Sequence, residues 1–181
     1  PLVSSSAASD VYKRQIVVMD IDLILLNNYQ DLLEYKIERG QFLGMASWWG
    51  SPPSHILNGG FFKYYPKDCK YIYDKFMKKI SYWQQHYILK RITVGPVNGE
   101  QFFVEDSVNE NLDLITFPSK WATRWTQDPK TNRGISRRYA RYFHTPLQIQ
   151  SNIFNNDIKL IHFTHSLNKP HESEMFAHLY D

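Results

Sequence analysis

Ile16 to Leu26 reads IVVMDIDLILL, and every residue in it apart from Asp20 and Asp22 is apolar. Its length and its content of Ile and Val predict one buried strand of an α/β sheet, ending at a functional edge. In an extended segment, residues two apart leave the same side of the chain, so both carboxylates can share one divalent cation. Carboxylate oxygens suit Mg²⁺ or Mn²⁺, and a metal set against a diphosphate neutralises the charge that builds as it leaves. Taken alone, the triplet equally fits a strand end with two solvated or helix-capping carboxylates.

Working outward, Asn27 to Arg39 reads as a short helix with Leu32, Leu33 and Ile37 inward, stopped by Gly40. Phe42 to Ala46 reads as a strand and Ser51-Pro52-Pro53 as a loop. Ile56 to Phe62, ILNGGFF, is a strand broken by paired glycines, where something approaches the backbone closely. From Asp68 to His86, Ile72, Phe76, Ile80 and Trp83 fall on one face of a predicted helix, with Lys75, Lys78 and Lys79 largely on its solvated side. A further helix opens at Asn98-Gly99-Glu100-Gln101, and Leu112 to Phe117 is a strand closed by Pro118. Residues 122–150 are polar and basic with little periodicity, which predicts a surface excursion. Ile158 to Phe163 returns to a strand that runs into Thr164 and the histidines beyond it.

The 181 residues, 43% hydrophobic and 15% aromatic, suffice for one core. A net charge of +3 is too small for a dedicated nucleic-acid binder and fits an anionic small ligand better. The single cysteine, Cys69, excludes an internal disulfide and a thiolate-pair zinc site. No apolar run approaches the roughly 20 residues a bilayer-crossing helix needs. Val3 to Gln15 looks like translated sequencing adapter, so residues 1–15 are expected to be a non-native or disordered leader and 16–181 the domain. A cytoplasmic location is the favoured expectation.

The order of the motifs adds a resemblance. VVMDIDLILLNNYQDLL resembles the metal-binding strand and following helix of GT-A glycosyltransferases, and ILNGGFF their Asn-x-Gly strand under the donor sugar. GEQ resembles the Asp-Gln pair of the retaining family 8 enzymes, FPSKW their Leu-Pro-x-x-Trp strand end, and IHFTHSLNKPH their closing His-Phe…Lys-Pro-Trp segment. The resemblance implies a GT-A fold, a Rossmann-like mixed sheet flanked by helices, here without its first strand–helix units. It implies sugar transfer from a nucleotide-diphosphate sugar, UDP-linked, to an acceptor hydroxyl, with Mn²⁺ or Mg²⁺ held by Asp20, Asp22 and His162. Asn58, Gly59, Gly60 and Lys169 would bind the donor. Glu100 would hold sugar hydroxyls, and Gln101 would sit near the anomeric carbon.

Departures from the pattern leave alternatives open. Glu100 stands where the family has Asp and His171 where it has Trp, and the spacing from His162 to Lys169 is one residue longer, so His165 or His171 could replace His162 as ligand. Glu105-Asp106 also resembles the Glu-Asp pair of inverting enzymes, with Asp106 a candidate base, although retention is favoured. Arg133, Arg137, Arg138 and Arg141, interleaved with Tyr139, Tyr142 and Phe143, could meet an anionic acceptor or membrane headgroups. The competing readings are a carbohydrate- or single-stranded nucleic-acid-binding module, an inactive fragment, and a metal hydrolase built on His162, His165 and His171.

Overall fold

The run from Ile16 to Leu26 forms two strands rather than one: β1 (Ile16–Met19) and β2 (Leu23–Leu25), joined by a turn over Asp20, Ile21 and Asp22. A strand continued through both aspartates would carry two carboxylates into a core, where burial of unpaired charge is strongly disfavoured. The turn keeps them at the surface and fully exposes Ile21. The structure, a computed structural model, describes residues 14–26, 28–46, 56–90, 99–124 and 158–163. The leader up to residue 13, the Ser51-Pro52-Pro53 loop, the arginine stretch, His165, Lys169 and His171 lie outside the described residues.

The two strands enter different sheets. β1 pairs antiparallel with β4 (Leu57–Tyr64), which pairs antiparallel with β3 (Gln41–Ala46), and β3 runs parallel to β5 (Asp113–Thr116). The order is β1-β4-β3-β5. β2 pairs antiparallel with β7 (Leu160–His162), itself parallel to β6 (Ala122–Arg124), in the order β2-β7-β6. Both sheets are mixed, as the Rossmann-like expectation requires. The predicted surface excursion from residue 122 therefore begins with a strand, its Ala122 buried.

Helices flank the first sheet and differ from their sequence patterns in two places. The helix expected over Asn27–Arg39 is a single turn, α1 (Gln30–Leu33). At its end and just beyond it, the carbonyls of Leu33 and Tyr35 accept from the Nζ of Lys63, a buried lysine on β4, at 2.5 and 2.7 Å. Leu32 and Ile37 are buried, as expected. The single helix expected over Asp68–His86 is α2 (Pro66–Lys78) and α3 (Ile80–Leu89), broken where Lys79 takes φ −147°, ψ 50°. Pro66 starts α2, where its missing N–H costs no hydrogen bond. Trp83 reaches back across the break, its Nε1 donating to Lys75 O at 3.2 Å. A further helix, α4 (Gly99–Asn111), buries Phe102, Phe103 and Val108.

Alternation along β3 and β4 divides the core. Leu43, Met45 and Phe61 pack with Leu32, Phe117 and Leu160 on the side of the second sheet. Phe42, Phe62 and Tyr64 pack with Leu57, Cys69 and Val108 under α2 and α4. Burial pushes the Cys69 thiol up to about 12, so it is an inert core group rather than a nucleophile.

Arg39 pairs with Asp68 in the first turn of α2, and the same carboxylate accepts Gly40 N–H at 3.0 Å. The hydrogen bond from Arg39, then that from Gly40, holds the Asp68 carboxyl below its usual range against the opposing effect of burial. A depressed folded-state pKa contributes stability above the unfolded value, lost as pH falls through the folded one. Asp68→Asn is therefore expected to lower the thermal midpoint at pH 7 and to lose less of it than the wild type on acidification below about pH 4, in melts recorded across that range.

Candidate metal centre

Ladder register brings the three expected ligands together. Asp20 N–H donates to Gly60 O at 3.0 Å, extending the β1–β4 ladder by one residue. Phe163 N–H donates to Asp22 O at 2.9 Å, extending the β2–β7 ladder, in which Leu23 faces His162. The two aspartates thus end the ladders of different sheets. Their same-side projection comes from the turn and not, as expected, from an extended strand.

His162 Nε2 lies 3.3 Å from Asp22 Oδ1 and 3.8 Å from Asp20 Oδ2. One ligand atom from each of the three side chains lies within 4.8 Å of the others. The histidine side chain is 8% exposed, Asp22 20% and Asp20 53%, so the group has a buried nitrogen floor and an open carboxylate rim. Two carboxylate oxygens and an imidazole nitrogen form a donor set that fits Mn²⁺ or Mg²⁺, and the open rim leaves room for oxygen ligands from outside.

The glycine-broken strand abuts this group. A Cβ on Gly60 would stand 3.2 Å from the Cε1 of His162, 3.0 Å from Asn58 Oδ1 and 2.8 Å from Met45 Cε. The buried Asn58 turns its Oδ1 back to accept Gly60 N–H at 2.8 Å. Next to it, Gly59 N–H donates to Gln101 Oε1 at 3.1 Å, which fixes the start of α4 against the strand. Gln101 is buried, and among the described residues its Nε2 has no hydrogen-bond partner. Asn58, Gly59, Gly60 and Gln101 are therefore contiguous with the metal group. If the group is a cation site, Gly60→Ala is expected to weaken its affinity for a divalent cation about tenfold by displacing the imidazole, measured by titration of Mn²⁺ with the variant's fold checked by circular dichroism.

Other candidates lie apart. Glu100, beside Gln101 in sequence, lines a separate cavity under α2 and α3. Asp106 accepts the hydroxyl of Tyr87 on α3 at 2.7 Å. Burial first, and then this carboxylate, pushes the Tyr87 hydroxyl well up, so it remains a donor. Glu105 is buried and accepts the N–H groups of Ile56 and Leu57 at 2.7 and 2.9 Å, at the start of β4. Reading Glu105-Asp106 as a carboxylate pair missed this anchoring role. An acidic residue a helical turn beyond Gln101, on the same face, was the available signal.

No family model matches the chain, and no curated protein matches it. Solved structures do. Xyloside xylosyltransferase 1 from mouse, in its apo form, superposes with a TM-score of 0.51 at 15% identity over 82% of this chain and 57% of its own. Galactosyltransferase LgtC, in complex with donor and acceptor sugar analogues, gives 0.49 at 13% identity over 95% of this chain and 62% of its own. The chain spans less than two thirds of the length of either protein. The fold is GT-A: Rossmann-like mixed sheet flanked by helices, with the Asp-x-Asp turn at the end of β1. Among the described residues no helix is long and apolar enough to cross a membrane.

Proposed function

We propose that this chain carries the metal- and donor-binding part of a glycosyltransferase that moves a sugar from a UDP-linked donor to an acceptor hydroxyl, with retention at the anomeric carbon. The observation that carries the reading is the convergence of Asp20, Asp22 and His162 on one point of a GT-A fold. The divalent cation they would hold, Mn²⁺ or Mg²⁺, supplies charge neutralisation at the departing diphosphate.

The chain's own residues do the rest. Gly60 has no side chain, so His162, Asn58 and Met45 can close on β4 and hold the imidazole against the strand, while Gly59, half-buried, leaves its backbone beside Gln101. Asn58 holds the Gly60 amide in place. Gln101, whose buried Nε2 has no hydrogen-bond partner among the described residues, stands against the same strand. In this reading Lys169 would add an ammonium at the diphosphate, and Arg133, Arg137, Arg138 and Arg141 a peripheral contact with an anionic acceptor or membrane. The retaining course needs no carboxylate base beyond the departing phosphate.

The test is calorimetric titration of UDP into the purified chain with and without Mn²⁺, alongside Asp22→Ala. Binding that requires Mn²⁺ and disappears in the variant is the expected result. A folded wild-type chain that binds UDP equally well without the metal would overturn the metal-dependent reading.

A further inference from the structure

A cavity lies on the other side of the β3–β4 pair from the metal group, and it shares none of that group's residues. Its volume is about 610 Å³. The floor is the aromatic face of the sheet, with Phe42 stacked at 5.4 Å and 6° on Tyr64 and tilted at 5.2 Å against Phe62. Trp83 of α3 and Phe103 of α4 wall it, their rings 4.9 Å apart, and Tyr73 of α2, 64% exposed, stands at its rim. The cavity is open on one side, and its size falls within the range of small-molecule sites.

Its polar groups are few. Apart from the tyrosines, the Cys69 thiol and a Trp83 N–H already donating to Lys75 O, the polar residues on the lining are Gln84 and Glu100, both exposed at its edge. Rings on the floor and walls match a flat apolar body through offset or edge contacts. A carboxylate on the lining selects a ligand that can donate a hydrogen bond and disfavours one that carries negative charge.

We propose that this cavity binds a small neutral ligand, a flat apolar body carrying a hydroxyl, with the ring between the aromatic floor and Trp83 and the hydroxyl donating to Glu100. The site stands independently of the sugar-transfer reading. It also touches it, because Gly99 and Glu100 line the cavity while the next residue, Gln101, holds Gly59 beside the metal group.

The probe is naphthalen-2-ylmethanol, with naphthalene-2-carboxylate as the anionic control on the same ring. Titration into the full chain is expected to give saturable binding of the alcohol with a Kd below about 1 mM, and binding of the carboxylate at least about tenfold weaker. Glu100→Gln is expected to bring the two affinities together. Val104→Trp, which fills the cavity from α4, is expected to abolish both. Amide chemical shifts in the wild type, which need no variant, are expected to move over residues 69–84 and 99–104. No saturable binding, shifts centred elsewhere, or a carboxylate bound as tightly as the alcohol would each overturn the proposal.

Discussion

His162→Ala is expected to lower the affinity for Mn²⁺ by about 100-fold or more, equivalent to about 2.7 kcal/mol, and to remove Mn²⁺-dependent UDP binding with it. The side chain is 8% exposed and supplies the nitrogen of the donor set from β7, whereas both carboxylates lie on the open side. Two carboxylates without the imidazole still attract a divalent cation, but nothing fixes it under the glycine-broken strand. Titration of Mn²⁺ by calorimetry, and by paramagnetic broadening of resonances near residues 20–22, measures the loss. A variant that keeps wild-type affinity would remove His162 from the site and return the choice of ligand to His165 and His171.

Glu105→Leu is expected to destabilise the fold by about 3 kcal/mol, a fall of roughly 10 °C in the thermal midpoint of a chain this size. Its carboxylate, 1% exposed, accepts from Ile56 and Leu57. The leucine leaves the buried Leu57 N–H with no acceptor, which costs the full desolvation of that group. Glu105→Gln keeps one acceptor but turns an amide N–H toward a backbone N–H, so it should fall between the two. Urea unfolding of the three proteins gives the order. An unchanged midpoint in the leucine variant would mean that the start of β4 is held by other contacts.

Both predictions concern residues that the sequence marks unequally. Asp20, Asp22, Gly59 and Gly60 stood out because each breaks a local rule, charges in an apolar run and glycines in a strand, whereas His162 was chosen over His165 and His171 only through the family resemblance. The division of Ile16–Leu26 was not legible, since hydropathy runs unbroken to either side and the turn contains neither Gly nor Pro. The break at Lys79 escaped for a similar reason. Lys78, Lys79 and Ile80 are ordinary helix formers, and tertiary packing that ties Trp83 to Lys75 sets the bend. Lysine is ordinarily a surface residue, yet Lys63 and Lys159 are both buried. Lys159 meets the Asp31 carboxylate at 2.5 Å and the Trp121 ring at 4.9 Å, partners distant in sequence that no local pattern reveals.

The turn between β1 and β2 has a mechanical consequence. Asp20 ends a strand of one sheet, while Asp22 and His162 belong to the other, so whatever is gripped by all three fastens the two sheets like a clasp across a seam. Sliding of β2–β7 against β1–β4 would then be coupled to release of what the clasp holds, and amide hydrogens on both sides of the seam should exchange with solvent more slowly when it is closed.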